Sequence, residues 1–167
     1  EGIDDAITHL MRLGHTHIGF INGSRNSMIS EQRRQAYIKS MTSHALPFSE
    51  ETMPYGYYVA DSAKDYTSGL IDQGITAILC GNDLIAVGVL RECERLGVSV
   101  PGKVSVVGFD DLPLPQRPAL TTIRQDRLEL GKSGYYTLHS LLSHVSISKT
   151  LLRPQLMVRS STTRACS

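Results

Sequence analysis

No apolar run in this chain reaches the roughly 20 residues that a membrane-spanning helix needs, so a helical span is excluded within it. Charge of one sign is equally lacking. Seventeen Lys and Arg stand against 16 Asp and Glu, a net charge of +1, which leaves no field to draw in nucleic acid or an anionic bilayer. Cysteine is scarce and odd in number, with three residues at Cys80, Cys93 and Cys166. None has metal-ligand spacing, and Cys80, in a predicted buried strand, and Cys93, on a predicted helix, are expected to be reduced, core-packed thiols suited to a reducing cytoplasm. The glycine patterns that cradle phosphates, G-x-G-x-x-G and G-x-x-x-x-G-K-[ST], are absent, as is the nucleophile elbow G-x-S-x-G. No cofactor is expected. His9, His15 and His17 are close in sequence, but the first lies on a predicted helix and the others flank a predicted strand, so no metal site is expected either. There is no internal repeat and no low-complexity segment. The chain opens on Glu1, inside what already reads as a helix, and is expected to be a piece of a longer protein. The lack of a secretory leader is therefore weak evidence about compartment.

What is present is a regular alternation. Apolar content of 41% and charged content of 20% over 167 residues suffice for one full core. Ile3, Ala6, Ile7, Leu10 and Met11 recur at helical spacing, with Gly14 as the stop. Further helices are predicted over 30–43, 61–73, 83–96 and 128–142. Gly74 and Gly97 end two of them. Short apolar runs predict strands at 17–21, 76–80 and 104–109, a weaker one near 53–57, an extended stretch at 121–124 and a last strand at 156–159. Through Asp111 helix and strand alternate strictly, which predicts an α/β fold: a parallel sheet with helices on both faces. Pro113, Pro115 and Pro118 then make an irregular loop.

The run Val104-Ser105-Val106-Val107-Gly108-Phe109 reads as a strand buried on both faces, and it delivers Asp110 and Asp111 to its C-terminal end. In open α/β sheets ligands bind at that edge. The other strands behave alike, ending in Asn22-Gly23-Ser24, in Gly81-Asn82-Asp83 and in Gly56-Tyr57-Tyr58. Taken singly, such residues can be mere caps and turns: Asn82 is a good N-cap and Asn22-Gly23 a good turn. As a set they point to one crevice for a polar ligand. Adjacent carboxylates on an extended chain point opposite ways, so Asp110 and Asp111 are not expected to share a proton. One faces the cleft while the other turns the loop. Arg33 and Arg34 lie early in a predicted helix, against its dipole, which invites a specific role. Tyr57 and Tyr58 offer a ring to stack on a sugar face, or simply strand-end packing.

Several segments together resemble the lactose-repressor/galactose-repressor (LacI/GalR) family of bacterial transcription regulators. They are Ala6-x-x-His9-Leu10-x-x-Leu13-Gly14-His15-x-x-Ile18-Gly19-Phe20-Ile21-x-Gly23, Arg33-x-x-Ala36-Tyr37, Asn82-Asp83-x-x-Ala86-x-Gly88, Val100-Pro101-x-x-Val104 through Asp111, Leu120-Thr121-Thr122-Ile123-Arg124-Gln125-Asp126, and Leu156 through Ser161. The resemblance implies a type I periplasmic-binding-protein-like fold of two lobes with a ligand between them, of which this chain is mostly the C-terminal lobe. Residues 1–123 would form that lobe, 124–150 would belong with the N-terminal lobe, and 151–167 would return as a strand and tail. The implied effector contacts are Arg33, Tyr58, Asn82, Asp110 and Gln125; the resemblance adds Gln125 and selects Arg33 over Arg34. Ala36 in place of the usual glycine, Tyr57 where a polar residue is common, and the loop with Pro113 and Pro115 depart from the family pattern and leave the effector open.

The function so implied is effector sensing, with a small sugar or related metabolite as ligand, in a cytoplasmic, non-enzymatic regulator. DNA would be read only through an N-terminal domain outside this chain. The resemblance places a homodimer contact on helix 83–96 and loop 112–119, and that helix is apolar around more of its circumference than one core face needs. Helix 128–142 carries Leu128, Tyr135, Leu138, Leu141 and Leu142, a stripe whose partner surface would lie in the N-terminal lobe; in this chain it is expected to be covered by another chain or displaced. A transport-type sugar-binding protein of the same fold is the rival reading. A hydrolase or dehydrogenase using Asp83 or Asp110 is disfavoured for want of a nucleophile–base pair or cofactor loop.

Overall fold

The computed structural model describes residues 1–115, 119–146 and 151–165. In chain order the elements are α1 (Gly2–Arg12), β1 (Ile18–Ile21), α2 (Met28–Ser43), a 3-10 turn (Ala60–Ala63), α3 (Thr67–Asp72), β2 (Ala77–Cys80), α4 (Asp83–Arg95), β3 (Ser105–Asp110), β4 (Thr121–Arg124), α5 (Arg127–Leu142) and β5 (Gln155–Met157). The strands form one sheet in the order β1-β2-β3-β4-β5. The first four run parallel, and β5 pairs antiparallel with β4. The predicted parallel sheet is therefore observed.

Helices cover both faces because the strands bury alternate residues on each side. On one face Ile18, Phe20, Leu79, Val107 and Ile123 pack with Ile3, Ile7 and Leu10 of α1 and with Tyr37 and Met41 of α2. On the other face Ile21, Ile78, Cys80 and Val106 pack with Leu70 of α3 and with Ile85, Val89 and Cys93 of α4. Continuous apolar strands are what a doubly covered parallel sheet requires. Burial pushes the Cys93 thiol up to about 11 and the Cys80 thiol well above its usual value, so both stay protonated.

Two expected elements differ. The weak strand near 53–57 is reduced to one parallel bridge, Asn22 with Tyr55, flanked by bonds from the Phe20 amide to the Thr52 carbonyl and from the Asn22 amide to the Pro54 carbonyl. Pro54 has no N–H to extend a ladder. The helix expected over 61–73 is split into the 3-10 turn and the short α3. The turn is wedged against α4, where its Ala60 carbonyl oxygen lies 2.0 Å from the position a Cβ on Gly88 would take. Thr67 Oγ1 also donates to the Ala63 carbonyl at 2.7 Å, a local bond of the kind that competes with helix continuation.

The terminal segment is stitched across the sheet. The Val106 amide donates to the Ser161 carbonyl, and Ser161 Oγ donates back to the Val106 carbonyl at 2.6 Å. By contrast, α5 has no buried residue: Leu128 is 71% and Leu142 74% exposed, so nothing in the described residues covers its apolar stripe.

Candidate functional site

Because β1 to β4 run parallel, their C-terminal ends share one edge. Arg33, in the second turn of α2, reaches across that edge. Its Nη1 donates to the Gly81 carbonyl at 2.5 Å, beyond β2. Its Nη2 lies 3.6 Å from Asp110 Oδ1, at the end of β3. Its guanidinium sits 3.8 Å above the Phe109 ring centre and 5.9 Å from that of Tyr58. Gln125, just beyond β4, donates from Nε2 to the same Asp110 Oδ1 at 2.7 Å. Tyr58 is bound through its hydroxyl to Ser30 Oγ at 2.7 Å, and its ring lies so close over Gly23 that a Cβ there would fall 1.9 Å from it. Asn82 caps α4, accepting from the Ile85 amide at 2.9 Å, and its amide donates to the Tyr58 carbonyl at 3.2 Å. A crevice of about 360 Å³, lined among others by Ile29, Arg33, Phe109 and Gln125, opens beside this cluster.

The two adjacent carboxylates differ electrostatically. Burial raises the Asp110 carboxyl above its usual range, and Arg33, the Gln125 bond and Arg127 only partly offset it. Its charge is thus only partly offset by these neighbours. Burial also pushes Asp111 up. There, however, Arg159 Nη2 at 2.7 Å and Arg124 Nε at 2.6 Å outweigh it, and the carboxyl sits below the usual range. Asp83 is buried, with both oxygens engaged: Oδ1 accepts from Thr122 Oγ1 at 2.6 Å and Oδ2 from the Leu112 amide at 2.7 Å. Burial leads in raising its carboxyl, with the Thr122 and Leu112 bonds opposing, and those two bonds make it an internal brace between α4, β4 and the loop after β3.

Residues 7–162 match the periplasmic binding protein-like domain family. The chain belongs to that family. Among its curated relatives are the HTH-type transcriptional regulator MalR of Streptomyces coelicolor, 32% identical over 96% of this chain and 49% of its own length. Another is the HTH-type transcriptional repressor CytR of Escherichia coli K12, 30% identical over 95% of this chain and 48% of its own length. This chain thus spans about half the length of the curated relatives it matches. Among solved structures, a dimeric Lac repressor with a C-terminal deletion superposes with TM-score 0.92 at 29% identity, covering 99% of this chain and 62% of the repressor chain. The complex of transcriptional regulator CelR with cellobiose superposes with TM-score 0.87 at 26% identity, covering 96% of this chain and 51% of CelR. The family form is that of LacI/GalR effector-binding domains.

All five expected site residues of this family member lie in one contiguous chain of contacts, from Gln125 through Asp110 and Arg33 to Tyr58 and Asn82. Arg34 turns away, pairing with Glu50. Tyr57 is exposed and Tyr58 half-buried in the cluster. Asn82 fulfils the capping role as well, with both polar side-chain atoms engaged inside the protein. Sequence reasoning missed Phe109 as the platform under Arg33; its place between the apolar strand and Asp110 was the available signal. It also missed Ser30, which nothing in the pattern marks.

The apolar circumference of α4 has an internal explanation. Sheet residues cover one side and the 3-10 turn another, and Val87 is only 4% exposed. Arg91, Glu94 and Arg95 dominate what is exposed, with Leu84 and Leu96 each at 38%. The excess of apolar residues therefore does not by itself require a partner. No helix in the described residues is long and apolar enough to cross a membrane, and no group of acidic, His or Cys side chains there could hold a metal ion.

Proposed function

We propose that this chain is the effector-sensing part of a cytoplasmic, DNA-binding transcriptional regulator, and that its ligand is a small polyhydroxylated molecule such as a sugar. The observation that carries this reading is the Arg33–Asp110–Gln125 cluster at the C-terminal edge of the parallel sheet, with an incompletely compensated carboxylate at its centre. Arg33 and Gln125 supply donors, Asp110 supplies the acceptor for ligand hydroxyls, and Tyr58 and Phe109 supply apolar walls. Asn82 holds the Tyr58 backbone in place. Residues 1–123 act as the C-terminal lobe, 124–150 belong with an N-terminal lobe, and 151–167 return, of which 147–150 and 166–167 lie outside the described residues; the uncovered α5 supports this division.

Effector bound between the lobes favours one of two arrangements, by its differential affinity for them. DNA reading falls to a domain outside this chain, because no base-reading element is among the described residues. Homodimerisation uses helix 83–96, through the Leu84 side, and loop 112–119, of which 116–118 lie outside the described residues. The described relatives are regulators, which favours this reading over a transport protein and over an enzyme. The test is a thermal-shift panel of mono- and disaccharides and nucleosides on the intact protein, followed by DNA binding with the compound that stabilises it. A compound that raises the melting temperature and alters operator binding is expected. Stabilisation by a sugar with no change in DNA binding would contradict the regulatory reading.

A further inference from the structure

The corner after β3 is strained. Asp110 has φ 108° and Asp111 φ 54°, two consecutive non-glycine residues in the left-handed half of backbone space. Such residues persist only where surrounding contacts over-determine them. Here the contacts are Asp111 Oδ2 with Arg124 Nε at 2.6 Å, Asp111 Oδ1 with Arg159 Nη2 at 2.7 Å, and the Leu112 amide on Asp83 Oδ2 at 2.7 Å. Arg159 is itself anchored, with Nη1 donating to the Leu120 carbonyl at 2.7 Å. Arg124 ends β4 and Arg159 follows β5. β4 and β5 are the two strands that flank α5 in the chain, and α5 has no buried residue to fix its position.

We propose that Asp111 is the positioning residue of the site: its two arginine pairs hold the strained corner that aims Asp110, and so tie Asp110 to both strands flanking α5. The proposal rests on the effector reading only for its functional meaning; the mechanical link stands on geometry. With the strap intact, Asp110 Oδ1 meets Gln125 and Arg33 together. If either arginine pair is lost, the corner can relax toward negative φ, swinging the Asp110 carboxylate off Gln125. A displacement of the α5 side would reach Asp110 by the same route.

The test needs no ligand. The intact protein, labelled with isotopes in glutamine and aspartate side chains, is compared by NMR with Arg159→Gln, Arg159→Lys and Arg124→Gln. Arg159 is one-third exposed, so its replacement should leave the fold standing, and Arg124→Gln provides a second, independent release of the strap. In Arg159→Gln the Gln125 side-chain amide protons should move upfield toward those of a free glutamine, and the Asp110 carboxyl titration should leave the wild-type curve. Arg159→Lys, which keeps the charge, should recover part of both. Wild-type Gln125 and Asp110 signals in both glutamine variants, with the spectra otherwise folded, would overturn the proposal. The effector reading is tested separately by Asp110→Ala. Unchanged effector binding there, with a shifted Gln125 signal in Arg159→Gln, would support the strap and overturn the effector role of Asp110.

Discussion

Replacing Gly88 by alanine sets a local rule against a tertiary one. In an exposed helix interior alanine is favoured over glycine by about 1 kcal/mol. Gly88, however, lies in the middle of α4 under the 3-10 turn. An added Cβ would lie 2.0 Å from the Ala60 carbonyl oxygen, 2.8 Å from its carbon and 2.8 Å from Ala63 Cβ. Two of these neighbours are backbone atoms, which cannot swing aside as a flexible side chain could. Overpacking of this kind costs roughly 1–3 kcal/mol, and backbone neighbours place it at the upper end. Less the propensity gain, the net loss is about 2 kcal/mol. At this chain length that corresponds to a fall in melting temperature of roughly 4–8 °C. Urea unfolding followed by circular dichroism measures it directly. Because Tyr58 lies two residues before Ala60, displacement of the turn should also weaken effector binding. An alanine variant as stable as the parent, or more stable, would refute the packing argument.

Tyr37→Phe removes a hydroxyl that donates to the Ile18 carbonyl at 2.7 Å inside the core, and should cost about 1–2 kcal/mol in the same unfolding assay, against no change if that bond is immaterial. Buried His15, bonded to Thr76 Oγ1 at 2.9 Å and to the Thr163 carbonyl at 3.0 Å, has its pKa lowered chiefly by burial, with the Thr163 bond opposing. The folded state thus favours the neutral ring. Its contribution is complete above about pH 6.5 and is lost as pH falls below that, until the lowered folded value is passed. Unfolding free energies measured across this window should drop with acid. His15→Gln should flatten that drop, and an equal slope in the variant would count against it.

Much of the fold was legible because doubly buried strands declare themselves. Val104–Phe109 and Thr76–Cys80 are short, mostly apolar runs; the observed β2 falls within the second, and β3 overlaps the first and runs on to Asp110. The 53–57 strand and the 61–73 helix were misjudged because their fates depend on tertiary partners. One turns on the missing donor of Pro54, the other on the groove at Gly88 that accepts a 3-10 turn. At the site, chain position picked out Asp110 and Asn82. Residue type alone does not separate Asp110 from Asp111; the family resemblance selected Asp110, and the geometry shows what differs, the company of Arg124 and Arg159 around Asp111. The apolar girth of α4 looked like a partner surface from the sequence because the turn that covers it was itself read as part of a longer helix.

The most direct test of the effector site is calorimetric titration of the intact protein and its Asp110→Ala variant with the compound that stabilises it in the thermal-shift panel. A charge-assisted hydrogen bond contributes on the order of 1.5–3 kcal/mol, so affinity should fall by about tenfold or more while the variant remains folded. Equal affinity in a folded Asp110→Ala protein would contradict the assignment of the ligand to this edge of the sheet.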